Sequence, residues 1–409
     1  MSWRTKSGRI WGRLGMKFKT YTMEDVLEVI IDYRGKTPQK SDSGIPTLSA
    51  KSVKNNYIDY SLCYYISPDE YKRFMVRGFP KVGDVLLTTE APMGVVARLD
   101  RDDVAIAQRL LTLRGRENIL DNEYLLYYLQ SSIGQSLLKA RETGTTVTGI
   151  KQAEFKKIQI NVPEIGIQKK IGRLLRALDE KIEINNKINN NLLEQVLAIY
   201  RHRFVDTTNE LRQTCRADEY FDISIGKTPP RKEPQWFSTN PKDVTWVSIS
   251  DMGTCGLYIS ESSEQLTREA VVRHNVKIVP DNTVLLSFKL TVGRIAITDG
   301  EMTTNEAIAH FKTDKKEINE YLYCYLKCFN YQTMGSTSSI ATAVNSKIIK
   351  GMPFIVPTDE EITEFHSLVA PMFAKIKANQ TEISNLTALR DTLLPKLMSG
   401  ELDVSDIDL

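Results

Sequence analysis

The stretch Ile165–Phe204, IGIQKKIGRLLRALDEKIEINNKINNNLLEQVLAIYRHRF, decides how the rest of the chain is read. Ile171, Leu175, Leu178, Ile182, Asn185, Asn189, Leu192, Val196 and Ile199 recur at alternating spacings of four and three. That spacing puts them on a single stripe of an α-helix, the seam of a coiled coil. No proline follows Pro163 in this stretch, and Gly172 is the only glycine after Gly166. At about 1.5 Å per residue the helix is roughly 55–60 Å long. A helix of that length with one apolar stripe needs a partner helix.

The partner lies in the same chain, because the chain repeats itself once. Gly35-Lys36-Thr37-Pro38 returns as Gly226-Lys227-Thr228-Pro229, and Ile45–Ser49 has a counterpart in Thr245–Ser250. Gly83-Asp84-Val85-Leu86-Leu87 with Gly94–Ala97 is echoed by Asn282-Thr283-Val284-Leu285-Leu286 with Gly293–Ala296. Asn122-Glu123-Tyr124-Leu125 reappears unchanged as Asn319-Glu320-Tyr321-Leu322, and Val162-Pro163 as Val356-Pro357. The blocks keep their order at offsets of 191 to about 200, the signature of two homologous halves with loop insertions. At an offset of 194 the helical stripe maps onto Phe365, Val369, Met372, Ile376, Asn379, Ile383, Leu386, Arg390 and Leu393. If the two helices pair antiparallel, Asn185 is expected to face Asn379 and fix the register, as a buried asparagine does in coiled coils.

Each half reads as a globular domain followed by a long helix. Strand-like runs are expected at Val85–Thr89, Val95–Leu99 and Ala105–Leu113, a helix from about Asn122 to Lys139, and a closing strand at Lys156–Val162. The second half repeats the order with Val284–Phe288, Arg294–Thr298, Ile308–Thr313, a helix near Ile318–Asn330, and Pro353–Val356. Strands gathered ahead of a helix, without strict alternation, give an α+β class. The expected architecture is internally duplicated: two globular domains separated by an antiparallel two-helix coiled coil. The expected divisions are a basic N-terminal arm (1–19), a first globular domain (20–163), a central helix (164–204), a second globular domain (205–357), a distal helix (358–398) and an acidic C-terminal tail (399–409). The basic arm reads as floppy, or as an upstream extension with the true start at Met16 or Met23.

Composition excludes several classes. Hydrophobic content of 41% and charged content of 26% in 409 residues fit two soluble domains. No apolar run approaches the roughly 18–20 residues that span a bilayer. Five scattered cysteines without a CxxC, and no apolar signal-peptide core, read as reduced thiols in the cytoplasm. With four histidines, no metal site is expected. Lys36-Thr37 and Lys227-Thr228 resemble the end of a phosphate-binding loop, but Ile30 and Phe221 stand where its first glycine belongs, and a proline follows. A dinucleotide loop, the Asn/Asp-Pro-Pro-aromatic motif of adenine methyltransferases and a nuclease carboxylate two residues before Lys289 are all missing. No catalytic residue is expected; the chain does not read as an enzyme.

What remains are polar and basic loops at matching places in the two halves. Arg34, Lys36 and Thr37 match Lys227, Thr228 and Arg231; Thr88, Thr89 and Glu90 match Ser287 and Lys289; Thr145, Thr146 and Thr148 match Thr337, Ser338 and Ser339. Hydroxyls and lysines suit phosphate contacts, and Glu, Lys or Arg among them can read base edges. Each loop alone is also what a solvated turn looks like; the recurrence is what makes them DNA-binding candidates.

With the duplication, the paired helices, the Gly-Asp-Val-Leu-Leu block and the run Leu393-Leu394-Pro395-Lys396-Leu397-Met398-Ser399-Gly400, the chain resembles the specificity subunit of type I restriction-modification systems from about Met16 onward. The resemblance implies two target-recognition domains, each binding half of an asymmetric bipartite site in double-stranded DNA, and a coiled coil that sets the spacer. It also implies two methyltransferase subunits and ATP-driven restriction/translocase subunits as partners. S-adenosylmethionine, ATP and magnesium then belong to those partners, with no cofactor on this chain. Rival readings are a specificity protein of a modification-only system, a coiled-coil scaffold without sequence-specific DNA binding, and an enzyme in its own right.

Overall fold

The computed structural model describes residues 16–33, 35–144, 148–334, 344–405 and 407. They fall into two compact units: Met1–Ile182 with Asn385–Leu409, and Glu183–Ser384.

The first unit is built on a four-stranded antiparallel sheet in the order Leu27–Asp32, Leu110–Gly115, Val85–Thr88, Val96–Arg98. Val85–Thr88 is apolar up to its last residue because both faces of the sheet are covered. Val85 and Leu87 point into a cluster with Tyr124, Leu125 and Leu129 of the helix Asn122–Gln130. Leu86 points the other way, against Leu48, Ala105 and Ile106 of a three-stranded sheet. Each such side chain contributes about 1.5–3 kcal/mol on burial. Lys19–Thr22 pairs with Gln159–Val162 and closes the unit.

The second unit repeats this plan. Asp222–Ile225, Ile308–Lys312, Val284–Ser287 and Ile295–Thr298 form the matching sheet, extended by the parallel strand Tyr258–Ile259. Val284 and Leu286 face the helix Asn319–Cys328, while Leu285 faces Val247 and Ile308. The repeated Asn-Glu-Tyr-Leu block has a geometric cause. Asn122 Nδ2 donates to Gly83 O at 2.8 Å and Asn319 Nδ2 to Asn282 O at 2.6 Å, tying each helix to the turn ahead of the central strand.

Sequence expectations shift in three places. Ala105–Leu113 is two strands, Ala105–Ile106 and Leu110–Gly115, separated by a turn in which Arg109 has φ +69°. The expected helix Asn122–Lys139 is two helices, broken where the Ser131 Oγ accepts from Gly134 N and caps the second. The closing strand expected over Lys156–Val162 begins only at Gln159, since Gln152–Lys156 is a short helix, and Val404 of the acidic tail is buried in the first unit's core.

The long helices run Ile165–Tyr200 and Asp359–Ser399, and each contributes a segment to both units. In the first unit Ile171 and Leu175 are buried among Leu393, Leu397 and Met398, with Leu178, Ile182 and Leu386 half-buried. Arg390, on the mapped stripe, donates to the buried Asp179 at 2.8 Å, which also accepts from Tyr127 at 2.7 Å. In the second unit Val196, Phe365, Val369 and Ile376 are buried in one cluster, and Leu192, Ile199, Met372 and Ile383 are half-buried. Phe373 rather than Met372 takes the core position, because a straight helix drifts off a strict seven-residue repeat.

Asn185 and Asn379 are both buried but do not face each other. Asn185 Nδ2 donates to Glu382 Oε2 at 2.9 Å, and Asn379 Nδ2 to Asn189 Oδ1 at 2.8 Å. The order of partners reverses along the chain, so the helices are antiparallel, and the expected asparagine pairing is off by about one turn. The packing of Tyr200 and Phe204 on Phe365, with ring centroids 6.3 and 5.3 Å apart, holds the register that the polar residues then satisfy.

Candidate nucleic-acid interface

The turn after the central strand is the same in both units. Thr88 Oγ1 donates to Pro92 O at 2.6 Å and accepts from Val95 N at 2.9 Å; Ser287 Oγ donates to Thr291 O at 2.6 Å and accepts from Arg294 N at 3.0 Å. Gly94 at φ +89° and Gly293 at φ +91° close the two turns with backbone bonds to Thr88 O and Ser287 O. This corrects the reading of Thr88, Thr89 and Ser287 as DNA contacts. All three are buried, and the hydroxyls of Thr88 and Ser287 are consumed in shaping the turn. What the turns present is their tips: Ala91 and Pro92 in the first unit, Lys289 and the fully exposed Leu290 in the second.

A second shared element lies beside each tip. The Thr89 amide donates to Arg109 O at 3.0 Å, and the Phe288 amide to Ala307 O at 2.9 Å. Ala107 N and Asn305 N donate to Leu48 O and Val247 O at 2.8 and 2.9 Å. Gln108-Arg109 therefore stands where Glu306-Ala307 stands in the other unit. Sequence reasoning missed this block, although extending the repeat from the strand after it would have exposed it.

In the first unit Glu90 forms an ion pair with Arg109 at 3.3 Å. Gly149 lies against Thr89 and Glu90, its amide and carbonyl pair with Thr143 at 3.0 and 2.8 Å, and Thr148 beside it is exposed. Lys36 and Thr37 are exposed on a turn closed by the Lys36 amide on Tyr33 O at 3.0 Å. Arg34, Thr145, Thr146, Thr337, Ser338 and Ser339 lie outside the described residues.

In the second unit three predicted residues converge. Lys227 N donates to Thr304 O at 2.9 Å, and its carbonyl accepts from Trp246 Nε1 at 3.2 Å. Thr228 Oγ1 donates to the Glu306 carboxylate. Burial alone would raise the Glu306 carboxyl, but the Thr228 bond and the nearby Lys289 and Arg231 cations outweigh it and hold the group below its ordinary value. Arg231 lies over the rings of Phe237 at 4.1 Å and Trp246 at 4.7 Å, and its Nη1 reaches Glu264 at 2.9 Å. Behind this surface the buried His310 accepts or donates between Thr304 Oγ1 at 2.7 Å and Ser224 Oγ at 3.0 Å, and burial lowers its pKa to about 3. The ensemble offers exposed cations, a carboxylate and hydroxyls.

The model of the type I restriction modification DNA specificity domain matches twice, over residues 16–194 and 210–388. The chain belongs to that family. It is a DNA sequence-specificity subunit with two recognition domains, and it is non-catalytic. Among its relatives, the type I restriction enzyme MjaIX specificity subunit of Methanocaldococcus jannaschii is 28% identical, over 89% of this chain and 88% of that protein. The type I restriction enzyme HindI specificity subunit of Haemophilus influenzae is 22% identical, over 79% of this chain and 87% of its own length. The crystal structure of a type I restriction-modification S subunit from M. genitalium shares the fold, with a TM-score of 0.58 at 16% identity over 95% of this chain and 97% of that one. No helix among the described residues is long and apolar enough to cross a membrane.

Proposed function

We propose that each unit reads one half of an asymmetric bipartite site in double-stranded DNA, and that the paired long helices set the spacer and dock two methyltransferase subunits. The observation that carries this reading is the duplicated turn, which offers the same rigid frame twice with different residues at its tip. The net charge of +3 is small for a DNA-binding chain, so partner subunits share in neutralising phosphates, the dominant source of affinity. S-adenosylmethionine sits on the methyltransferase subunits; ATP and magnesium serve restriction/translocase subunits in the cytoplasm.

Methylome sequencing of cells expressing this chain with its methyltransferase tests the proposal. A bipartite adenine motif with a fixed spacer is expected, and exchanging Thr20–Asn161 for the matching segment of another such chain is expected to change one half-site only. A change in both halves overturns the two-reader arrangement, and methylation without a sequence motif favours a scaffold instead.

A further inference from the structure

The loop that opens the second unit is longer than its counterpart: Gly226 to Val244 against Gly35 to Ile45. The added chain carries Arg231, Lys232 and Lys242 together with Trp236 and Phe237. Most of its cations are ordinary exposed side chains, but Arg231 is not free to wander. Phe237 and Trp246 flank its guanidinium, and Glu264 binds Nη1 at 3.0 Å through Oε1 and 2.9 Å through Oε2. The Arg231 side chain is still 51% exposed. Among the described residues, the bonds it forms leave Nε and Nη2 unused.

This support has two anchors in the reading surface. Trp246 also binds the carbonyl of Lys227, and Arg231 lies close enough to Glu306 to favour its ionised form, as Lys289 does. The Gly226-Lys227-Thr228 segment and the added chain therefore meet at Trp246, beneath one guanidinium. An arginine that only held the fold together would be expected to bury its fork; one that only met phosphate would need no fixed plane. A guanidinium held flat by two rings and turned by a carboxylate has its rotamer entropy already spent, and keeps two donors for a planar acceptor pair. In the major groove that acceptor pair is O6 and N7 of guanine.

We infer that Arg231 is a guanine-reading residue of the second unit, positioned by Phe237, Trp246 and Glu264. The inference rests on the reading of this unit as one half-site reader, and first requires that the half-site assigned to it contain a G·C pair.

The test uses the complex with its methyltransferase subunits, with methylome sequencing and binding to site variants as readouts. The wild-type motif comes first: its absence would overturn the two-reader function itself, whereas a motif whose second-unit half lacks a G·C pair overturns only the role of Arg231. For R231Q, discrimination at one G·C position should fall roughly 10- to 100-fold, with the other half-site unchanged. R231K keeps the charge and the aromatic support but lacks the fork, so it should lose the same discrimination. R231K decides the matter if R231Q does not fold. E264Q, which frees the guanidinium without removing it, should lower discrimination about 3- to 10-fold. A motif unchanged in R231K overturns the inference. So does uniform weakening across all sequences with a shallower salt dependence, the mark of a phosphate contact.

Discussion

Gly35 and Gly226 open the same tetrapeptide in the two units and are required for opposite reasons. Gly35 sits at φ +74° with nothing within 4 Å of where a Cβ would stand. At Gly226 a Cβ would lie 2.0 Å from Thr304 Oγ1 and 2.2 Å from Asn305 O. The first glycine answers to backbone conformation, the second to space. The same words in a repeated sequence therefore encode a free loop in one unit and a loop clamped onto Thr304 and Asn305 in the other. Duplication conserves the frame more than the local physics.

Alanine scanning of the two loops is the sharpest way to break this comparison. G226A should cost about 3 kcal/mol, since a backbone carbonyl and a buried hydroxyl must both move. At roughly 2–4 °C per kcal/mol for units of this size, calorimetry should show the transition of the second unit falling by about 6–12 °C. A fall as small as that of G35A would show that Thr304 yields easily and that the clamp is weak.

Acid should separate the units next. His310 on Ile308–Lys312 occupies the position that Thr112 fills on Leu110–Gly115, as their equivalent partners Leu285 and Leu86 show. Burial lowers its pKa from 6.5 to about 3, so the folded unit holds it neutral while the unfolded chain takes up a proton below about 6.5. Stability is then lost as pH falls from about 6.5 towards 3, by up to about 1.4 kcal/mol per pH unit. Hydrogen exchange at pH 4.5–5 should show Val284–Ser287 opening before Val85–Thr88, and H310N should remove much of that difference. Glu361, held at about 2 against Arg212 and Asn209 despite its desolvation, adds a loss only below about 4.5.

Smaller effects follow at the turns. T88V and S287A each leave a carbonyl and an amide without the hydroxyl between them, an expected cost of about 1–2 kcal/mol by denaturant melts. Equal costs would confirm that the two turns are energetically as well as geometrically alike. G35A should cost about 1 kcal/mol, the strain of a left-handed L-residue, and leave the thermal transition of the second unit untouched.

The legible part of this molecule was what periodicity and repetition encode. The duplicated blocks, the central strands and the two long helices follow from apolar spacing, which reports burial directly. The missed parts depend on which neighbour a polar side chain finds. Thr88 and Ser287 looked like surface hydroxyls because a run of threonines or serines carries no mark of facing inward. Glu306 was overlooked because its partners, Thr228 and Arg231 on one loop and Lys289 on another, are distant from it in sequence. The Asn185–Asn379 pairing was mistaken by a turn because aromatic layers at Tyr200, Phe204 and Phe365 set the register.

One consequence of the hydroxyl-locked turn concerns change over time. Thr88 and Ser287 secure their turns through the backbone of Pro92, Val95, Thr291 and Arg294, with no bond to the side chains at the tips. The exposed side chains of Lys289 and Leu290 take no part in these turn bonds. At such a tip the lettering can be exchanged while the type block beneath it stays in place.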